Sequence, residues 1–158
     1  MAIYVATSST VLWGTGWTGT APGAGNPTVS GTISSSTDFS DHVRKVDFGA
    51  KAEDIDFTTF GDGGFMVKKA GLKSADLSVE FNQDYGASSI DATFAAAFLA
   101  GTEGYLDIKP TSSARGATNP SIVCKAYVNG YPVSQQVGQG GIITVSFTVI
   151  GSFARLTS

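Results

Sequence analysis

Polar and apolar residues alternate almost without interruption along residues 72–81. The side chains divide into an apolar set and a polar set, namely Leu72, Ala75, Leu77, Val79 and Phe81 against Ser74, Asp76, Ser78 and Glu80. A period of two residues predicts a β-strand with one face in the core and one face in water. A sheet face that stays polar over this length is expected to border solvent or a hydrophilic passage.

Residues 91–100 break this alternation with an alanine-rich block in which Phe94 and Phe98 are one helical turn apart. The spacing predicts a short α-helix. Three residues are suited to cap its N-terminus: Ser88, Ser89 and Asp91. Gly101 stands where a left-handed C-cap residue belongs.

The predicted helix is expected to anchor the fold. A helix of about ten residues is not stable alone in water, so its stability must come from packing. Apolar side chains occur on nearly every side of it, and we expect the apolar face of residues 72–81 to cover them. Phe94, Phe98 and Leu99 are therefore predicted to be core residues.

Shorter apolar patterns predict the remaining strands, at residues 3–7, 41–48, 54–60, 65–69, 105–109, 122–128 and 142–150. Asp62, Gly63 and Gly64 supply the turn chemistry for a hairpin between the third and fourth of these. The last strand alternates most clearly, with Ile143, Val145, Phe147 and Val149 opposite Thr144, Ser146 and Thr148. The chain is thus predicted to be one mainly β domain, residues 1–158, with a single short helix.

Gly, Thr, Pro and Ala dominate residues 14–31. We expect a loop or an extended arm over about residues 13–36, with Trp13 and Trp17 as its large aromatic side chains. Long loops without secondary structure are uncommon in compact domains and usually serve binding or assembly. A disordered surface loop explains the same composition equally well.

The composition favours a protein whose surface is covered by copies of itself. Charged residues make up 15% of the chain, against about 25% in an average soluble domain. The net charge is -3, whereas tight binding of nucleic acid requires a basic stripe. The longest wholly apolar run is too short to cross a bilayer, and no basic targeting segment opens the chain, so we expect no membrane segment and synthesis in the cytoplasm.

Candidate cofactor-binding and nucleophilic residues lack the context that their chemistry requires. Gly14, Gly16 and Gly19 match the spacing of a dinucleotide-binding loop, but Pro22 follows where a helix should begin. Cys124 lies in an apolar strand, where a cysteine is usually a core filler. We therefore expect no cofactor.

Candidate metal-binding and acid–base residues fail in the same way. His42 neighbours Ser40 and Asp41, but adjacent residues on a strand point to opposite faces and form no catalytic relay. Asp54 and Asp56 share a predicted strand face and could surround Ca²⁺ together with Asp62, but the shaped loop that calcium requires is missing. We therefore expect no metal site and no enzymatic activity.

Several segments, taken in order, resemble the major tail proteins, or tail tube subunits, of long-tailed bacteriophages. These segments are DFSDHVR at 38–44, TFGD at 59–62, GLK at 71–73, VEFNQD at 79–84, IKP at 108–110, NP at 119–120 and TVSF at 144–147. The resemblance covers about residues 38–158 and rests on the order and spacing of the segments. Residues 13–36 match no part of the family, and the immunoglobulin-like domain that some relatives carry at the C-terminus is not expected.

The resemblance implies a β-sandwich or partial barrel with one flanking helix. Six copies would close into a ring, and rings would stack into a hollow tail tube through which DNA passes without specific binding. Tape measure and tail terminator proteins would be further partners, and the virion tail would be its location. The polar residues would line the lumen: Ser74, Asp76, Ser78, Glu80, Thr144, Ser146 and Thr148.

Within this interpretation, the repeated charges of Asp76 and Glu80 would repel DNA phosphates. Trp13 and Trp17 would anchor the arm of residues 13–36 on a neighbouring subunit. The polar face could equally be a plain solvent-exposed surface. Two other functions also fit the sequence: a capsid decoration or head–tail joining protein, and a sugar-binding β-sandwich module that uses both tryptophans as a platform.

Overall fold

Strands make up most of the residues that the computed structural model describes, which are 8–23, 25–26, 28–138 and 140–158. In chain order the elements are β1 (Thr10–Thr18), β2 (Thr32–Asp38), β3 (Val43–Asp56), β4 (Lys68–Asn82), α1 (Ile90–Ala100), β5 (Glu103–Lys109), β6 (Ser121–Gly130) and β7 (Ile142–Leu156). Short 3-10 turns lie at Ser40–His42 and Phe60–Asp62. The strand predicted at residues 3–7 lies outside the described residues.

All seven strands form one antiparallel sheet in the order β2-β1-β5-β6-β7-β4-β3. The two edge strands, β2 and β3, are joined by residues 39–42 alone. Six strand spacings would separate the edges of a flat sheet by about 29 Å, whereas the five Cα steps of this link reach at most about 19 Å. The sheet must therefore curl until its edges approach each other, which confirms the predicted partial barrel.

The concave side of the curled sheet holds an aromatic core around the helix. Phe94 of α1 is fully buried, and its ring lies 5.1–5.7 Å from the rings of Trp13, Phe39, Phe81 and Phe147. These four residues come from distant parts of the chain, so one helix side chain connects both halves of the sheet. Aromatic pairs at this separation stabilise a fold beyond the area that they bury.

The helix begins and ends as predicted, but only one stripe of it is buried. The Ser89 hydroxyl accepts a hydrogen bond from the Ala92 N–H at 3.2 Å, and Gly101 has the left-handed φ of 62°. The buried positions recur at helical spacing: Ile90, Phe94 and Ala97. The prediction that Phe98 and Leu99 are core residues is wrong, because Phe98, at the edge of the buried stripe, is 44% exposed and Leu99, on the opposite side of the helix, is 84% exposed.

The predicted loop or arm at residues 13–36 is instead largely a hairpin of β1 and β2. Trp13 is only 4% exposed and lies in the core of its own chain. Gly104 on β5 makes room for it, since a Cβ there would stand 2.5 Å from the Trp13 ring. The Ser- and Thr-rich sequence of β2 conceals a strand because an edge strand needs few apolar residues.

A buried ion pair closes the convex side of β5. Arg115 donates from Nη2 to the Asp107 carboxylate at 2.6 Å and from Nη1 to the Gly31 carbonyl at 2.5 Å. The Asp107 side chain is only 3% exposed and also accepts a hydrogen bond from Ser121. The loop after β5 and the loop before β2 are therefore joined through one guanidinium group.

The hairpin predicted around residues 62–64 is confirmed, with different strand limits. Residues 41–48 and 54–60 were expected to form two strands, whereas β3 is one continuous strand of 14 residues. Its partner begins only at Lys68, and Phe57 donates to the Val67 carbonyl at 2.8 Å across the base of the loop. Leu72 is exposed, against prediction, because it shares the outward side of β4 with the polar residues.

Candidate functional site: the polar face and the protruding hairpin

Six of the predicted polar residues lie together on the convex side of β4 and β7. Cross-strand register places them in three facing pairs: Asp76 with Thr148, Ser78 with Ser146, and Glu80 with Thr144. The intervening residues Leu77, Val79, Val145 and Phe147 are buried on the concave side. We call these six outward residues the polar face. The seventh predicted residue, Ser74, lies on the same side of β4 but beyond the pairing with β7, opposite Lys51 of β3.

Cations from β3 stand beside the two carboxylates of the polar face. Lys51 Nζ donates to the Asp76 carboxylate at 2.7 Å, and Arg44 Nε lies 3.6 Å from the Glu80 carboxylate. The hydrogen bond from Lys51 to Asp76, with the attraction between their charges, raises the pKa of Lys51 above its ordinary value. The predicted repulsion of DNA assumed unpaired acidic groups; the structure corrects this to acidic groups that each have a cationic neighbour.

A third ion pair extends this arrangement along β3. Lys45 Nζ lies 2.7 Å from the Asp47 carboxylate, and this hydrogen bond raises the pKa of Lys45. Residues of β3 were missed as part of the site because the register shift between Val43 and Lys45 interrupts the alternation. The signal available in the sequence was the excess of basic residues between 44 and 51, three against one acidic residue.

An open groove of about 350 Å³ runs across the polar face. Its lining combines carboxylates, hydroxyls, an amide and a glycine with two apolar residues: Asp47, Asp76, Ser78, Ser146, Asn129 and Gly49, with Leu77 and Phe147. The Asn129 amide donates to the Thr148 hydroxyl at 2.6 Å. Such a surface holds water at many points and offers no cluster of unpaired basic groups to phosphate.

Beyond the polar face, β3 and β4 continue as a two-stranded ribbon. β4 pairs with β7 only over residues 76–82, so residues 51–74 pair with each other alone. We call residues 51–74 the protruding hairpin. Its tip is shaped by a capping box between Thr59 and Asp62 and by Gly63, whose φ is 62°. Strand pairing and this turn hold the ribbon in place without a hydrophobic core.

The protruding hairpin carries an unusual number of exposed large apolar side chains: Ile55, Phe57, Phe60, Phe65, Met66, Val67 and Leu72. Contiguous exposed apolar surface on a folded protein indicates a contact with another molecule. The sequence pattern predicted a hairpin here but not this exposed apolar surface. The available signal was the presence of three phenylalanines and a methionine within a Gly-rich turn of residues 57–67.

Trp17 and Trp13 do not form an exposed pair. The Trp17 ring packs 5.3 Å from the Tyr105 ring, and its Nε1 donates to the Ser30 carbonyl at 3.0 Å. Trp13 is buried in the core. A sugar platform needs two accessible ring faces, so the structure does not support the sugar-binding interpretation. Burial of Trp13 also removes it as an anchor for a neighbouring subunit.

The candidate chemical groups have structural roles or surface positions. Burial raises the pKa of the Cys124 thiol to about 12, which makes it a poor nucleophile. His42 lies at the surface with Nε2 3.7 Å from the Asp84 carboxylate. Asp62 caps the tip of the protruding hairpin. Hydrogen bonds from the side chain and backbone of Thr58 lower the pKa of Asp56.

Metal clusters and membrane-spanning helices are both absent from the described part of the chain. No group of three or more His, Cys, Asp or Glu side chains is placed to hold a metal ion in residues 8–23, 25–26, 28–138 and 140–158. Over the same ranges, no helix is long and apolar enough to span a membrane.

Comparison with known proteins identifies the fold. No protein-family model and no curated protein sequence matches the chain. The SPP1 tail tube matches with a TM-score of 0.66 at 12% identity, over 99% of this chain and 80% of that chain. The tail of an empty GTA particle, with C6 symmetry, matches with a TM-score of 0.60 at 14% identity, over 73% and 82% of the two chains.

A third match is the six-fold symmetrised baseplate of the anti-feeding prophage, with a TM-score of 0.63 at 12% identity over 99% of this chain and 97% of that chain. The chain therefore has a tail tube fold. This confirms the fold class expected from the resemblance of its segments to tail tube subunits.

Proposed function

We propose that the chain is a structural subunit of a phage-like tail, which assembles into stacked hexameric rings around a lumen that conducts DNA. The observation that carries the proposal is the two-sided sheet: β4 and β7 are apolar towards the core and polar over three successive pairs on the convex side. In a wall built from adjoining subunits, one side must pack and the other must meet a hydrated passage.

Assembly into rings of six is supported by the symmetry of the similar structures, which are a GTA tail with C6 symmetry and a six-fold symmetrised baseplate. A ring closes when each copy uses two different patches, one to bind the copy ahead and one to bind the copy behind. The low charge content of 15% suits a surface that is covered by identical neighbours.

The protruding hairpin is the part of the chain best suited to connect one copy to another. It extends beyond the sheet and exposes Phe60, Phe65 and Met66 at its tip. Burying apolar surface at about 25 cal/mol per Å² favours its insertion into a neighbouring subunit. In this arrangement the tape measure and tail terminator proteins would contact the lumen and the end of the tube, and the virion tail would be its location.

In the lumen, the polar face would let DNA slide without adhering. Hydroxyl groups and paired charges keep water on the surface, and no basic stripe is present on β4 or β7 to release counterions from phosphates. The balance of charge, with each carboxylate beside a cation, would replace the simple repulsion expected from Asp76 and Glu80 alone.

Electron microscopy of the purified, concentrated protein tests assembly. We expect hollow filaments or rings from the native chain and none from the Phe60→Ser/Phe65→Ser double variant. Leu99→Ser is the matched control, because Leu99 is exposed on α1 and is not part of the protruding hairpin. A native chain that stays monomeric at every concentration would contradict the proposal, and equal assembly of the two variants would remove the protruding hairpin from it.

Binding of short DNA duplexes to assembled tubes tests which face lines the lumen. Asp76→Lys/Glu80→Lys should create a cluster of basic groups with Lys51 and Arg44, so that tubes retain DNA at low salt and release it at high salt. Ala92→Lys/Leu99→Lys adds basic groups to the exposed side of α1 as the control. Equal retention by both variants would exclude the polar face from the lumen.

A further inference from the structure

The protruding hairpin and an open cleft lie at opposite ends of the same strand. β4 starts at Lys68, next to the hairpin tip, and ends at Asn82, directly before the cleft residue Gln83. A strand of 15 residues spans up to about 50 Å at 3.3 Å per residue. In a stack of copies that share one orientation, the leading end of one copy meets the trailing end of the next.

The cleft has a volume of about 240 Å³ and is lined by Gln83, Tyr85, Gln135, Gln136 and Gly141. Hydrogen bonds hold its walls together: the Gln83 N–H donates to the Gly141 carbonyl at 2.8 Å, and the Gln135 amide donates to the Tyr85 hydroxyl at 2.5 Å. Its surroundings expose the apolar side chains of Tyr85, Val133 and Val137. The cleft therefore combines amide groups with accessible apolar surface.

One acceptor at this cleft has no partner within the described chain. Gln83 Oε1 is buried and accepts no hydrogen bond. The amide cannot simply turn over, because its Nε2 donates to the Tyr131 hydroxyl at 3.0 Å and that hydroxyl donates to Asp91 at 2.6 Å. A buried acceptor without a donor destabilises the chain, so a rearrangement of the cleft on binding that brings a donor to this oxygen would favour the complex.

We propose that this cleft receives the tip of the protruding hairpin from a second copy of the chain. The tip offers what the cleft lacks, since Phe60 and Phe65 supply apolar surface and the Gly63–Gly64 turn brings main-chain N–H donors. The contact is heterologous, because the tip and the cleft are different patches of one chain, and it therefore repeats from copy to copy. This inference rests on the proposed self-assembly and names the surface that accepts the hairpin.

Disulfide cross-linking between copies tests the proposal directly. In Phe60→Cys/Val137→Cys, mild oxidation of assembled tubes should produce a ladder of dimers, trimers and higher multimers on a denaturing gel. The native Cys124 is buried and contributes no background. Phe60→Cys/Leu99→Cys is the matched control, since Leu99 is equally accessible but lies on α1, and it should give no ladder.

The outcomes separate this inference from the proposed function. A ladder from Phe60→Cys/Val137→Cys, with none from Phe60→Cys/Leu99→Cys, supports the cleft as the receiving site. If tubes form but the ladder comes from the Leu99→Cys variant, or from neither variant, the cleft is excluded as the receiving site and the proposed self-assembly stands. A native chain that forms no tubes overturns both.

A measurement on the native chain covers the case in which a cysteine variant fails to fold. Hydrogen exchange should slow on assembly in residues 57–67 and, together with them, in residues 83–85 and 133–137. Slowing in residues 57–67 without any change at the cleft would also overturn the proposal.

Discussion

The two halves of β4 differ in what holds them in place. Residues 76–82 lie between β3 and β7, and their concave side chains Leu77, Val79 and Phe81 are buried against the aromatic core. Residues 68–74 pair with β3 alone, and most of their surface is exposed. One strand thus passes from the interior of the fold to a free ribbon, with an irregularity in its pairing opposite residues 52–54.

This difference separates stability from assembly. In the inner half, side chains are closely packed, so a change there alters the free energy of unfolding. In the outer half, large apolar side chains contact little of their own chain, so a change there should leave folding unaffected and alter contacts between copies. The aromatic residues of the inner half stabilise the fold, while those of the protruding hairpin remain available to a partner.

The largest contrast is expected between Phe94 and Phe65. Phe94→Ala should lower the free energy of unfolding by about 3–5 kcal/mol, because it removes the ring that contacts four other aromatic rings in the core. Phe65→Ala, at an exposed position, should change it by less than about 0.5 kcal/mol. Urea denaturation followed by circular dichroism measures both, and similar losses would show that the protruding hairpin is part of the cooperative core.

A second contrast compares two ion pairs of nearly equal length, Arg115–Asp107 at 2.6 Å and Lys51–Asp76 at 2.7 Å. Arg115→Leu should cost about 3 kcal/mol, because it leaves the buried Asp107 carboxylate without its cation. Lys51→Ala should cost at most about 1 kcal/mol, because water screens the exposed pair. If the two variants shift the denaturation midpoint equally, burial does not determine how much each ion pair stabilises the fold.

The smallest effect is expected at Tyr131, whose hydroxyl accepts a hydrogen bond from Gln83, the residue that follows β4. Burial, together with the hydrogen bond to Asp91, raises the pKa of Tyr131 to about 12, from an ordinary value near 10. As the pH rises, the unfolded chain loses the Tyr131 proton near pH 10, before the folded chain does. The contribution of protonated Tyr131 to the free energy of unfolding is therefore full below pH 10 and is lost as the pH rises towards 12. Absorbance titration should show one late tyrosine, which Tyr131→Phe removes at a cost of about 1 kcal/mol. A late transition that persists in Tyr131→Phe belongs to another residue.

Alternation and caps predicted the central elements because they depend on local sequence. The apolar side of β7, the cap at Ser89 and the C-cap at Gly101 were all read from neighbouring residues. The burial of Phe94 was predicted, whereas the exposure of Phe98 and Leu99 was not, because the covered stripe of a helix depends on where the sheet lies. An all-apolar helix gives no sequence signal for that choice.

The polar face was predicted in its residues but not in its electrostatics. Asp76 and Glu80 were recognised on β4, whereas their cationic neighbours come from β3, whose register is shifted by a bulge. The β1–β2 hairpin was missed because threonine, glycine and serine dominate its sequence while the buried Trp13 depends on Gly104, about 90 residues away. Long-range complementarity of this kind cannot be read from periodicity.

The strand order has a consequence for how the chain acquires its structure. β3 and β4 are consecutive in the chain and pair as a hairpin. By contrast, β1 pairs with β5 and β4 pairs with β7, and because these partners are distant in sequence we expect their pairing to form later. Local hairpins form in microseconds, while sheets of high contact order fold in milliseconds to seconds. The apolar tip should therefore be complete before the barrel closes, and in a crowded cell the delay before assembly would determine how long it is exposed to the wrong partners.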